Sequence, residues 1–311
     1  MFLKIAPYCA PFFFATVLFT VTSSAQQKIA RLEKNDSQKT TLISEENPNS
    51  ESSEKNDQSE QKYRLLQSNG MLVETAYHQE KNELQHAFTF ERTNRHNWSF
   101  NFLEEIPIGS EKHQLSFSMP AQLVASDETG RGVGDIKFEY SYFLLGGNTS
   151  RVTVSPGFGV SLPTGNTQKE LGFGAAGYSA KVPVSVMITN RFQSNSTFEA
   201  AFTSQAKNAE GDRANLRGYE VGQSFVWLAK PRLNLLVEAV WEKSQKVAGQ
   251  NLKEYEEEFF VSPGVRWAHV FKNGLTVIPG VGVPFGIGAS RGERGIFFSI
   301  AFEHSIKKER D

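Results

Sequence analysis

Cysteine is nearly absent from this chain: the only one among 311 residues is Cys9, inside an N-terminal apolar run. Once that run is removed the chain has no thiol, which excludes disulfides, a cysteine-ligated metal and a cysteine nucleophile. Long apolar stretches are equally scarce, and after residue 21 none could span a bilayer as a helix. The net charge is only -1, so no basic excess points to phosphate, and nucleic acid is not an expected partner. A hydrophobic content of 39% and a mean hydropathy of -0.39 look like those of a soluble protein. Strands that alternate apolar and polar residues average to the same neutral value.

The N-terminus reads as a targeting segment. Lys4 supplies a positive start, residues 5–21 an apolar stretch and Ser23-Ser24-Ala25 a small-residue cleavage site. A signal peptide over residues 1–25 follows, with export and a mature chain beginning at Gln26. Residues 26–62 are dominated by Gln, Asn, Ser, Glu and Lys and contain no aromatic residue. Such a segment buries too little apolar surface to offset its ordering entropy, so residues 26–82 are read as a largely disordered periplasmic leader. Its opening, Lys28-Ile29-Ala30-Arg31-Leu32-Glu33-Lys34, could form a helix of a turn or two at most. Residues 63–79 are less polar, and two readings stay open: a lead into the next domain, or a partial plug folded within it.

From residue 83 to 306 the chain is a series of alternating segments joined by connections that are in turn long and tight. That pattern is the signature of an all-β, transmembrane, antiparallel up-and-down β-barrel. The segments fall at 83–92, 98–108, 113–124, 133–145, 151–163, 174–189, 191–206, 216–230, 232–245, 256–271, 275–288 and 295–306. Twelve strands put both termini on one side. Tight connections at Asn190, Pro231 and Lys272-Asn273-Gly274 are then periplasmic, and longer ones at 93–97, 125–132, 164–173, 207–215, 246–255 and 289–294 are surface loops. Residues 307–311 form a periplasmic tail.

The two faces differ in the expected way. Val152, Val154, Pro156, Phe158, Val160 and Leu162 alternate with Thr153, Ser155, Gly157, Gly159 and Ser161; Ile136, Phe138, Tyr140, Tyr142 and Leu144 alternate with Asp135, Lys137, Glu139, Ser141 and Phe143. A secreted β-sandwich also alternates, but its polar face would be crowded with long charged side chains rather than Gly, Ser, Thr and Ala. Trp98 and Trp241 fall at the outer ends of strands and Trp227 and Trp267 near the inner ends, as girdle residues do. Glu293, Gly295, Phe298, Ile300 and Phe302 resemble the C-terminal signal read by outer-membrane assembly machinery. Proline removes a ladder donor, so the Ser155-Pro156-Gly157, Ser262-Pro263-Gly264 and Ile278-Pro279-Gly280 repeats predict local bulges or bends.

Gly132-Val133-Gly134-Asp135-Ile136-Lys137 leads into Tyr140 and Phe143. It is followed by Ser155-Pro156-Gly157-Phe158-Gly159-Val160-Ser161-Leu162-Pro163-Thr164-Gly165 and preceded by Phe117-Ser118-Met119-Pro120. This ordered set resembles the G-x-G-D and L-P-T-G blocks of the MetA-pathway phenol-degradation, or transporter-like, family of outer-membrane barrels. The resemblance covers roughly residues 84–302. It implies a channel-like barrel for small aromatic or other hydrophobic compounds, and carries over no catalytic or binding residues.

The candidate lumen and constriction residues are Asp135, Lys137, Glu139, Lys181, Glu199, Glu220, Glu238, Glu242 and Arg266. Lys181 and Glu199 lie nine residues either side of the turn at Asn190, so they should face each other on neighbouring strands. They are either a wall-stiffening salt bridge or part of a charged filter. Acids outnumber bases, which predicts a preference for cationic or neutral solutes. Two alternatives are a structural or surface-binding barrel without an open pore, and an outer-membrane lipolytic enzyme. The enzyme fits less well. Gln67-Ser68-Asn69-Gly70 resembles the end of the phospholipase His-x-Ser-Asn-Gly motif but lacks its histidine, and His78, His86, His96, His113, His269 and His304 are scattered without ligand spacing. No catalytic residue, cofactor or metal is expected. The expected partners are outer-membrane lipid, the assembly machinery and a small-molecule solute.

Overall fold

The computed structural model describes residue 66 and residues 70–94, 97–123 and 130–305. The expected signal peptide, the leader through residue 65 with its short helix, the Gln67-Ser68-Asn69 triplet, His96 and the 307–311 tail lie outside the described residues.

The described chain forms sixteen strands: β1 (Glu83–Thr93), β2 (Trp98–Ile108), β3 (Ser110–Leu123), β4 (Arg131–Val133), β5 (Ile136–Tyr142), β6 (Val152–Val154), β7 (Gly157–Leu162), β8 (Gly177–Thr189), β9 (Phe192–Lys207), β10 (Arg213–Lys230), β11 (Leu233–Gly249), β12 (Leu252–Trp267), β13 (His269–Val270), β14 (Thr276–Gly282), β15 (Phe285–Gly286) and β16 (Gly295–Ser305). β4 with β5, β6 with β7, β12 with β13 and β14 with β15 are interrupted halves of single staves, so the sheet has twelve. Each stave pairs antiparallel with its neighbours, and β1 pairs with β16 from Glu83↔Ser305 to Thr93↔Gly295, closing the barrel. Closure removes every edge, which is what allows a sheet to sit in lipid. The end carrying Glu83 and Ser305 is the terminal end; the opposite one is the loop end.

Dyad alternation decides which side chains point where. Phe138, Tyr140, Tyr142, Val152, Phe158 and Leu162 are exposed on the outside, while Ser141, Thr153, Ser155, Ser179, Ser185, Asn195, Ser224 and Asn234 are buried inside. The outward aromatics pack on one another across strands, as in the Phe88–Phe102 and Phe117–Phe138 pairs, with centroids 5.1 and 5.2 Å apart.

Two local expectations need correction. The connections expected at 207–215 and 246–255 are much shorter, because β9 runs to Lys207, β10 starts at Arg213, and β11 and β12 meet at a hairpin pairing Gly249 with Leu252. Ordinary strand pairing satisfies their backbone better than solvated loop would. A bilayer crossing needs about 9–11 tilted residues; β10 has 18 and β11 has 17, so their hairpins project beyond it at the loop end. The expected proline bulges also divide. Ser155-Pro156 separates β6 from β7. By contrast Pro263↔Val237 and Pro279↔Ile300 stay in register. Pro263 accepts from the Val283 amide at 3.0 Å, so its missing donor faces β14 and β15. The β12 ladder skips Pro263 only on that side, between Val261↔Phe285 and Gly264↔Gly282.

Candidate functional site

The inward face is not an open tube. Residue 66 and residues 70–80 form a strap that runs inside the barrel, meeting inward side chains of β8, β9, β11 and β12 along its length and of β16, β1, β2 and β3 at its ends. The strap has no regular secondary structure over residues 70–80, so its backbone polar groups need partners from the wall. Leu66 starts it, packed on Ala268, Ile278 and Ala301, with its carbonyl accepting from Arg266 Nη2 at 2.6 Å and from Asn234 Nδ2 at 3.4 Å. Glu238 then accepts from the Leu72 and Val73 amides at 2.9 and 3.3 Å. Thr197 donates to the Glu74 carbonyl at 3.0 Å, and the Ala76 amide donates to Ser185 Oγ at 2.9 Å. The His78 amide reaches Asn148 Oδ1 at 3.0 Å and the Gln79 amide Gln114 Oε1 at 2.8 Å. The described part of residues 63–79 therefore lies against the inner wall of the barrel.

The wall makes room for this strap with inward glycines. A side chain at Gly222 would press on Val73, and one at Gly280 or Gly282 on Met71.

A charge cluster stands at mid-lumen. Lys181 pairs with both Glu74 of the strap and Glu139 of the wall, and Lys137 pairs with Glu139 at 3.2 Å and Glu199 at 2.7 Å. Lys181 and Glu199 are register partners, as the spacing around Asn190 predicts, but the ion pair expected between them is not the one made. The reason is β7, whose Gly157 and Gly159 leave a trough. A Cβ at Gly157 would lie 3.1 Å from Lys181 Cε, and one at Gly159 would lie 2.6 Å from Lys137 Cε. Both lysines lie across this trough to partners on other strands. Glu74, the strap's contribution, was not among the sequence candidates, since nothing in an irregular segment marks an inward residue.

The remaining candidates separate. Glu238 and Arg266, 1% and 2% exposed, hold the strap. Glu220 opposes Glu199 on one neighbouring strand and Glu242 on the other, and Glu242 in turn opposes Glu258. Four carboxylates thus form one row across β9, β10, β11 and β12. Directly opposed like charges are unfavourable in a sheet, so this row concentrates negative charge, offset at one end where Glu199 pairs with Lys137. Asp135 belongs to neither group: at the break between β4 and β5 it accepts from the Gly165 and Phe173 amides, each at 2.9 Å. This joins the G-x-G-D block to the loop that follows L-P-T-G. Of the tryptophans, Trp98 begins β2 under Arg92, 4.6 Å from its centroid, and Trp267 ends β12. Trp227 lies near the end of β10 and is half exposed. Trp241, expected at a strand end, lies mid-way along the extended β11 and donates to Glu257 at 3.0 Å.

Between the strap and the uncovered wall is a cavity of about 360 Å³. Its wall side mixes small and polar residues, Ala87, Thr89, Asn101, Ser116, Ser118 and Ser299, with the larger apolar Leu103 and Phe297; its strap side carries Glu74, with Lys137, Lys181, Glu139 and Glu199 alongside.

His78 closes the strap against the wall. Its Nδ1 lies 2.8 Å from the Glu111 carbonyl and its Nε2 3.0 Å from Ser141 Oγ, with Phe143 stacked at 4.0 Å. A neutral imidazole satisfies both contacts, donating from Nδ1 and accepting at Nε2, and burial lowers its pKa from 6.5 to about 4.

Comparison with known proteins adds a family and a fold. A family model described as "Putative MetA-pathway of phenol degradation" matches residues 70–302. No curated protein matches the chain. Among solved structures, the COG4313 outer membrane channel from Pseudomonas putida F1 superposes with a TM-score of 0.54 at 11% identity, covering 74% of this chain and 97% of that one. The NanC porin gives 0.48 at 9% identity, covering 72% and 100%, and the KdgM porin 0.45 at 12% identity, covering 72% and 99%. At such identities the likeness to the COG4313 channel is one of fold.

Proposed function

This chain belongs to the family described as "Putative MetA-pathway of phenol degradation", and from that premise and the strapped lumen we propose that it is a passive outer-membrane channel. Its terminal end faces the periplasm and its loop end the exterior. It passes small neutral or cationic solutes, aromatic or hydrophobic compounds among them. The observation that carries this is the cavity beside the strap, which Glu199 lines and from which Glu220, Glu242 and Glu258 continue a row of carboxylates across the neighbouring strands. Rings of carboxylates raise the local concentration of cations and repel anions in pores. Single-channel recording across a salt gradient tests the reading. The reversal potential should have the cation-preferring sign, and an anion-preferring sign overturns it.

The strap itself favours a second reading, a structural or surface-binding barrel without an open pore. Liposome swelling with sugars, amino acids and small aromatics separates the two. A channel swells with the strap in place; a closed barrel swells only after residues 70–79 are deleted.

A lipolytic role has less support. The Ser141–His78 pair has Ser–His spacing, but His78 Nδ1 faces a backbone carbonyl rather than a carboxylate, and both residues are buried under 6% exposed inside the lumen. A membrane ester has no approach to them from the lipid side.

A further inference from the structure

Barrel closure undoes the apparent scatter of the histidines. His86 on β1 and His304 on β16 are 218 residues apart, yet their Nε2 atoms lie 3.2 Å from each other on the outside of the closing seam. The two rings tilt by 30° with centroids 5.3 Å apart. Phe102 lies parallel to His86 within 13° at 6.4 Å, backing one partner of the pair.

Glu104 on β2 is the register partner of His86, and its carboxylate lies 3.6 Å from His86 Nδ1. A negative charge there favours the tautomer with the proton on Nδ1, which leaves the Nε2 lone pair directed at His304. Carboxylates placed behind ligating imidazoles do this in metal sites. Two Zn–N bonds of about 2.0–2.1 Å would span 3.2 Å at an N–Zn–N angle of about 100°, close to tetrahedral. His86 lies three residues from the terminal end of β1, beside the charged Glu104, at the rim of the outer wall where water can complete the coordination shell.

We propose that His86 and His304, oriented by Glu104, form a surface site for one divalent transition-metal ion of the Zn²⁺ or Cu²⁺ class, bridging the first and last strands of the barrel. Among the described residues no group of three or more His, Cys, Asp or Glu is arranged to hold a metal, so this is a two-imidazole site completed by water. Imidazole favours Cu²⁺, Ni²⁺ and Zn²⁺ over Ca²⁺ or Mg²⁺, which take oxygen ligands. A metal here would tie β1 to β16, the one strand pair in the barrel that joins the two ends of the sequence.

The test uses the full mature chain, folded in detergent and free of any polyhistidine tag. In calorimetric titration with Zn²⁺, one ion per chain should bind. His86→Ala and His304→Ala should each weaken binding at least tenfold, Glu104→Gln by about 10–100-fold, and His113→Ala, on the same outer face, should leave it unchanged. Heat-modifiable migration on gels identifies the variants that fold. The electron paramagnetic resonance spectrum of Cu²⁺ bound to the unaltered protein needs no variant and should show coupling to two imidazole nitrogens. Zn²⁺ binding unaltered in the doubly substituted His86→Ala/His304→Ala chain, no binding by the unaltered protein, or a Cu²⁺ spectrum with one nitrogen or none would each overturn the proposal. In that event the pair is a hydrogen bond between imidazoles and nothing more.

Discussion

The inner wall has two unlike halves. From β5 through β12 it carries Glu139, Lys181, Ser185, Thr197, Glu238 and Arg266, and the strap covers it. From β16 through β3 the strap touches it only with its two ends, Leu66 on Ala301 and Gln79 on Gln85, Glu105 and Gln114, and between those contacts Ser299, Thr89, Asn101, Leu103, Ser116 and Ser118 line the cavity. On the covered half, polar side chains serve the backbone of an irregular segment that has no ladder of its own. On the other half, small and polar side chains face the cavity together with Leu103 and Phe297. Lumen charge is therefore not one property: part of it holds the strap, and in the proposed channel the carboxylate row acts on solutes.

The largest expected effect comes from abolishing the contrast altogether. Deleting residues 70–79 exposes both halves and should raise single-channel conductance severalfold, because the space the strap fills joins the cavity beside it. Conductance unchanged by the deletion would mean that the strap leaves the lumen in the working protein. Next, Glu238→Ala leaves the buried Leu72 and Val73 amides without their acceptor, at about 1–3 kcal/mol each. The strap should then become cleavable by added protease while the barrel stays intact, whereas Ser118→Ala on the other half should give no such cleavage. A smaller loss is expected for Gly159→Ala, which sets a methyl 2.6 Å from Lys137 Cε and Ser179 Oγ and should cost about 1–3 kcal/mol by overpacking. Lys137 would be pushed from Glu199, so the current–voltage relation should change along with stability.

One pH effect on strap docking should run through His78. Burial lowers the His78 pKa from 6.5 to about 4, so the docked strap binds fewer protons than a released one. Docking is at full strength above pH 6.5 and weakens as pH falls toward 4. Protease sensitivity of the strap should rise over that window, and His78→Phe should flatten the rise. The smallest change is expected for Glu220→Gln alone, which leaves three carboxylates of the row and should reduce cation preference only modestly in salt-gradient recordings.

Much of the barrel was legible because its signal is local. The expected β2 at 98–108 coincides with Trp98–Ile108, and the expected segment at 295–306 ends within a residue of β16, since alternation in each strand reports its own two faces. The strand extensions at β10 and β11 were not legible, because polar, charged residues pair as strands beyond the bilayer without the apolar face that reveals them. Within the site, the register of Lys181 with Glu199 could be read from their distance to one turn. Their actual ion-pair partners could not, because the trough at Gly157 and Gly159 redirects both lysines.

By itself the sequence determined a twelve-stave antiparallel barrel, the side each residue faces and the acidic bias of its lumen, all consequences of a two-residue period repeated along the chain. Only the tertiary structure decided that residue 66 and residues 70–80 lie against the inner wall, that Glu74 joins Lys181, and that His86 meets His304 across the seam. Those contacts join positions far apart in the chain. An irregular segment has no period to read, and a closing seam brings together two strands whose separation along the chain says nothing of their proximity.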